Sequence, residues 1–275
     1  MTPTEPSTAR TVFTREGDLW HPSVLSRGPW DPRAQHGGAP SALFAHVAEG
    51  AMAEPGWQLS RLSVELVKPV PVAPLSTRVN AAPPTRATAR LTIDLLAGEV
   101  LVARAHALML RSQSLALPAG LPEPQTPRML PLPADCSEPL RIPGLPLSGT
   151  SFYETAMTTR AAQGDVSRGG PAAAWFRLAV PLIDGVPTSP AMRAAAAADF
   201  GNGLSWVLPA ERILFSNADL SLHLYRPPAG EWVGLMAETL VDAGGAGIAQ
   251  SRLYDEQGPI GIAVQTLVLR ARNAA

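Results

Sequence analysis

The chain has 275 residues, 46% of them hydrophobic, and 22 basic side chains against 23 acidic ones. That length buries one large core or two smaller ones and excludes a disordered or fibrous chain, while the even charge balance leaves no footprint for nucleic acid or an anionic membrane surface. A single cysteine, Cys136, excludes an internal disulfide and a thiolate metal cluster.

The first twenty residues lack a charged start followed by an apolar run, and no window is long and apolar enough to span a bilayer, so a cytoplasmic protein is expected. The first predicted helix runs from about residue 39 to 52, with Pro40 in its opening turn and Leu43, Phe44, Val47, Ala48, Ala51 and Met52 at helical spacing. Strands are predicted over 59–68, 76–81, 88–96 and 99–110, with Gly98 breaking the last two apart. Residues 112–149 contain nine prolines and little periodicity, which reads as a connector along the outside of the body. A second helix follows over about 190–200, with Thr188 or Ser189 as its cap, Pro190 in its first turn, five successive alanines, and Gly201-Asn-Gly203 as its stop. Strands are then predicted over 213–225, 232–241, 247–254 and 260–269.

The chain repeats itself. Ser63-Val-Glu-Leu-Val-Lys68-Pro69 matches Ser221-Leu-His-Leu-Tyr-Arg226-Pro227 at a separation of 158, and the closing strands ending in Arg111 and Arg270 match at 159. One helix before a run of antiparallel strands, twice over, is an α+β arrangement and not a crossover fold. The expected organisation is therefore an N-terminal unit over 1–111, a proline-rich linker over 112–149 and a C-terminal unit over 150–275.

Three segments carry a family resemblance: Gln35-His-Gly-Gly38-Ala-Pro-Ser41-Ala, Ala218-Asp219-Leu-Ser-Leu-His-Leu-Tyr-Arg226-Pro227, and Ile262-Ala-Val-Gln265-Thr-Leu-Val-Leu-Arg270. In order and spacing they resemble the double-hotdog acyl-CoA thioesterases of the bacterial thioesterase II type and their actinobacterial relatives. The resemblance implies two tandem hotdog units, each a central helix wrapped by an antiparallel sheet, and hydrolysis of an acyl-CoA substrate. It further implies a water held by an aspartate, a hydroxyl residue and a glutamine. The aspartate maps onto Asp219 and the glutamine onto Gln265. Thr239 supplies the hydroxyl on a one-residue shift, the unshifted register placing Leu240 there.

Thioester hydrolysis needs a group that activates water and donors for the oxygen that becomes negative. His36, Gly37 and Gly38 are the candidate oxyanion and substrate-binding residues, because glycines leave backbone N–H groups open at a helix N-terminus. No metal, and no cofactor beyond the CoA of the substrate, is implied; His21, His46, His106 and His223 show no ligand spacing. Two other readings stand beside hydrolysis. One is an acyl-CoA or lipid-binding hotdog without chemistry. The other is an enoyl-CoA hydratase in which Asp31 and His36, five apart, activate water. The two units can cover each other's sheet edges, so a further homo-oligomer is permitted and not required.

Overall fold

The computed structural model of the protein describes residues 9–52, 54–120, 130–145 and 149–272. The first copy comprises β1 (Phe13–Glu16), β2 (Leu19–Pro22), α1 (Gly38–Gly50), β3 (Trp57–Glu65), β4 (Leu75–Ala81), β5 (Thr88–Ala97) and β6 (Val100–Arg111). The second comprises β7 (Met157–Gln163), β8 (Ala172–Leu178), α2 (Pro190–Ala198), a one-turn helix α3 (Gly201–Leu204), β9 (Ile213–Asn217), β10 (Asp219–Leu224), β11 (Val233–Val241), β12 (Ala246–Asp255) and β13 (Gly258–Ala271).

All of these strands form one antiparallel sheet in the order β1-β2-β4-β5-β6-β3-β10-β13-β12-β11-β8-β7, with β9 also paired to β13. The two copies meet where β3 pairs with β10, and the pairing is centred on the repeat itself. Ser63 lies opposite its own counterpart Ser221, with Asp219 opposite Glu65 and His223 opposite Arg61 on either side. A pairing in which equivalent residues face each other is what a twofold axis imposes. The Ser221 hydroxyl donates to the Ser63 hydroxyl across it at 3.3 Å. Each copy thereby covers the edge strand that the other would leave open.

Alternation places Leu62, Val64, Leu220, Leu222 and Leu224 in the core, with α1 and α2 packed against the inner face of the sheet. The run of alanines in α2 has a packing reason: Ala194 through Ala198 are fully buried, and a Cβ on Gly38 of α1 would come within 2.5 Å of the Ala196 carbonyl. Small residues let the two helix backbones approach this closely. Connector residues Leu130 and Cys136 pack with Trp175, Trp232 and Tyr254 in a second cluster.

Several elements differ from the sequence expectation. The hairpin that opens each copy, β1–β2 and β7–β8, was not predicted. β1 is four residues long and mostly exposed, whereas the Ala172–Phe176 part of β8 is buried at every position, so neither shows an alternating pattern. Helix α1 begins at Gly38, with Pro40 in its third position, where the N–H still has no intrahelical partner. Gly201-Asn-Gly203 does not stop the chain but forms α3, tied by the Ser205 hydroxyl donating to the Gly201 carbonyl at 2.9 Å. The predicted strand over 213–225 is broken at Ala218, between β9 and β10.

Candidate functional site

The break at Ala218 shapes the site. Along β13, Asn217 lies opposite Leu267 and Ser221 opposite Val264, so one residue is extra on the β9–β10 side. In a regular strand, residues two apart share a face. The extra residue separates them: Asn217 turns its amide to Asp199, while Asp219 accepts the Thr266 N–H at 2.7 Å. Asp219 thus fills a gap in the sheet ladder, and the structure does not bring it to Gln265.

The carboxylate that Gln265 does meet is Asp199, at the C-terminal end of α2. Gln265 Nε2 donates to Asp199 Oδ1 at 2.9 Å and to the Asp199 carbonyl at 3.1 Å, while its Oε1 accepts the Asn202 N–H at 3.1 Å. Asn217 Nδ2 donates to the same Oδ1 at 2.9 Å. The other oxygen, Oδ2, lies 3.0 Å from Nδ1 of His36, which comes from the first copy. The His36 ring rests nearly parallel to Phe152 and Phe200, at centroid distances of 5.3 and 4.5 Å.

Asp199 is buried and His36 nearly so, its side chain 12% exposed, and this burial acts on the two groups in opposite directions. It holds the His36 imidazole below the ordinary histidine range, with the Asp199 charge opposing. It raises the Asp199 carboxyl above the ordinary carboxylate range, against the pull of His36, Asn217, the Gly38 N–H and Gln265. The pair therefore favours carrying little charge, and its protonation steps belong to both groups together.

His36, Gly37, Asp199, Asn202 and Asn217 all line a cavity of about 700 Å³. With Nδ1 turned to Asp199, His36 Nε2 makes no hydrogen bond to a described residue and is not sealed in the interior. The Gly37 N–H likewise has no acceptor among the described residues, whereas the Gly38 N–H points at His36 Nδ1, 3.0 Å away. Of the two glycines, Gly37 has the donor free for a ligand. A Cβ on Gly37 would come 2.8 Å from Asp199 Oδ2, so the glycine is also what lets the two copies bring this carboxylate and imidazole together.

The remaining predicted residues lie elsewhere. Thr239 is buried and its hydroxyl shares a hydrogen bond of 2.7 Å with Ser205, which locks the turn after α2; Leu240 is exposed. Asp31 is engaged by Arg33 through Nε and Nη2 at 3.1 and 3.0 Å and is not the partner of His36. Among the described residues there is no cluster of side chains able to hold a metal ion, and no helix is long and apolar enough to cross a membrane.

Asp199 was missed in the sequence because it follows an alanine run that reads as plain helix. A signal existed. A carboxylate in the last turn of a helix opposes the helix dipole, and one flanked by Ala198 and Phe200 has no solvated reason to be there. The reciprocal corner of the helix pair carries different chemistry: Glu49, at the end of α1, accepts from the Ser189 hydroxyl at 2.6 Å.

Comparison with known proteins adds the lineage. The model of the acyl-CoA thioesterase N-terminal domain matches residues 26–110 and that of the C-terminal domain residues 133–269. No curated protein matches the sequence. Among solved structures, the acyl-CoA thioesterase II TesB2 from Mycobacterium marinum is 16% identical, covering 93% of this chain and 94% of that one with a TM-score of 0.67. The TesB protein from Mycobacterium avium subs paratuberculosis is 15% identical, covering 94% and 95% with a TM-score of 0.65. A conserved hot dog protein of unknown function from Alicyclobacillus acidocaldarius is 17% identical, covering 96% and 97% with a TM-score of 0.68. At these identities the likeness is one of fold, whereas the two domain models together span most of the sequence: the chain belongs to the acyl-CoA thioesterase family and has its double-hotdog fold.

Proposed function

We propose that this protein hydrolyses acyl-CoA thioesters with water activated at the His36–Asp199 pair. The observation that carries the reading is the 3.0 Å contact between these two side chains at the wall of a cavity, with His36 Nε2 left without a partner. In the working form Asp199 is ionised and takes the Gly38 N–H, so that Nδ1 carries the proton it donates to Oδ2 and Nε2 presents a lone pair to water. The water gives a proton to Nε2 as its oxygen bonds to the thioester carbon. The carbonyl oxygen gains negative charge facing the Gly37 N–H. When the tetrahedral intermediate collapses, the carbon–sulfur bond breaks and the thiolate of CoA takes the proton from Nε2, leaving the free acid. Gln265 and Asn217 hold the carboxylate in place, and in this reading Asp219 and Thr239 are structural.

Thiol release from short, medium and long acyl-CoA substrates tests the proposal. Release by the wild type and its loss in Asp199→Asn and His36→Ala are expected; full turnover in either variant would sink it. No release from any substrate, with tight acyl-CoA binding, would leave a binding protein. The same imidazole–carboxylate pair also suits a second reaction, addition of water to the double bond of an enoyl-CoA. Loss of the enoyl absorbance with the thioester intact would assign that reaction.

A further inference from the structure

Beyond the reacting groups, the mouth of the cavity has its own composition. Lys68, the only lysine in the chain, lines the main cavity together with Arg270. Arg270 also lines an adjoining cavity of about 510 Å³, together with Arg272 and the rings of Trp30, Trp206 and Phe215. The rings form one cluster, with Trp30 edge-on to Phe215 at 5.7 Å and Trp206 edge-on to Phe215 at 4.6 Å. Trp30 is nonetheless 45% exposed. None of the three cations makes an ion pair or a side-chain hydrogen bond with a described residue. The acids of the main cavity are already engaged, Asp31 by Arg33 and Asp199 by its buried partners, and no acid lines the adjoining one.

We infer that this second cavity is a nucleotide subsite. It takes the adenosine of CoA against Trp30 and Trp206 and the phosphates of CoA on Arg270, Arg272 and Lys68. Uncommitted guanidinium groups beside an exposed Trp30 and a half-buried Trp206, both lining the cavity, match a ligand that joins phosphates to a planar base. The inference rests on the thioesterase reading for its ligand, and it adds what that reading lacks, a reason for the acyl group to be presented on CoA and not on a shorter thiol.

The wild type and the Arg270→Ala/Arg272→Ala variant test it in two ways. In a titration followed by tryptophan fluorescence, CoA should bind the wild type at least about tenfold more tightly than pantetheine, which lacks the nucleotide, and the variant should erase that gap. Equal affinity of the wild type for both, or binding of neither, overturns the subsite. In turnover, the variant should raise KM for acyl-CoA by about tenfold, with kcat within about twofold of the wild type. Its KM for the same acyl group on N-acetylcysteamine should not change; a parallel rise for both carriers overturns the subsite. A protein that prefers CoA over pantetheine yet releases thiol from no substrate defeats the proposed reaction and leaves the subsite standing.

Discussion

His36 and Asp199 belong to different copies of the repeat, yet Nδ1 of one lies 3.0 Å from Oδ2 of the other in the protein interior. Neither copy holds this pair alone, so the duplication is what assembles it. The stability consequence follows from the direction in which burial moves Asp199. Its native pKa is raised above the ordinary 3.8, so its contribution to stability is fully present below 3.8 and is lost as pH rises through the native value. An asparagine has no such loss, and it can accept from Gln265 and Asn217 as the carboxylate does. Asp199→Asn is therefore expected to be at least as stable as the wild type at neutral pH, with the difference fading toward pH 4, while turnover drops by about 100-fold or more. Melting curves across pH, beside thiol release, check both halves.

In the proposed mechanism the same pair sets the acid limb of the rate. Activity requires ionised Asp199 and neutral His36, so it falls as pH drops and the pair takes up a further proton. Asn217 donates to the ionised carboxylate and thereby lowers its pKa. Asn217→Ala removes that donor, and the acid limb of kcat/KM should move to higher pH. A profile identical to that of the wild type would show that Asp199 does not govern the limb.

Much of the fold was legible from local pattern, and the site was legible only where one strand or one turn carried it. The repeat of Ser63 and Ser221 announced the duplication because alternation and a terminal Arg/Lys-Pro survive in both copies. Gln265 was reached through the resemblance, and as an amide in a strand with Ala263, Val264 and Leu267 around it, it needs a partner. Its partner was not legible, because Asp199 reaches it through the packing of α2 on the sheet, and the Asn217–Asp219 spacing conceals an extra residue at Ala218. Pattern alone put Asn217 and Asp219 on one face of a strand, and it was the resemblance that placed the catalytic aspartate at Asp219. The structure gives Asp219 the Thr266 N–H instead, so Asp219→Asn, which keeps an acceptor oxygen, should retain turnover within about threefold and lose less than about 1 kcal/mol of stability. A loss of turnover equal to that of Asp199→Asn would reverse the assignment.

The two glycines before and at the start of α1 should separate in their effects. A Cβ at Gly38 meets the Ala196 carbonyl at 2.5 Å, a backbone atom that cannot move without displacing α2. Gly38→Ala is expected to cost about 1–3 kcal/mol or more, the range for overpacking a close-packed interior. A Cβ at Gly37 meets the Asp199 carboxylate at 2.8 Å, a side chain able to turn away. Gly37→Ala should therefore cost less stability and proportionally more turnover, because the carboxylate it displaces is the one that orients His36. Denaturant titration and thiol release on the two variants give the comparison, and equal ratios of stability loss to activity loss would refute it.

The end of the second repeat segment is structural in a different sense. Arg226 meets the Asp255 carboxylate with both terminal nitrogens, Nη2 reaching Oδ1 at 2.7 Å, and Asp255 also accepts the Ala229 N–H at 2.7 Å and the Gln257 N–H at 2.9 Å. The Asp255 side chain has no exposed surface, while the Arg226 side chain is 28% exposed. The guanidinium and these backbone donors hold the Asp255 carboxyl below the ordinary carboxylate range even though burial pushes the other way. Removing the arginine leaves a buried carboxylate without its counter-charge, a change that costs about 3–5 kcal/mol in fully buried pairs and somewhat less here, where one partner reaches solvent. Because its native pKa is depressed, the stability that Asp255 contributes is present above the ordinary 3.8 and is lost as pH falls through the native value. Arg226→Ala should therefore be strongly destabilised at pH 7, and that deficit should shrink as the solution is acidified and the orphaned carboxyl takes up a proton. Its folded fraction should turn over with near-normal kcat, because neither Arg226 nor Asp255 lines the cavity. A deficit that grows on acidification would show that the pair is held together by something other than its charge.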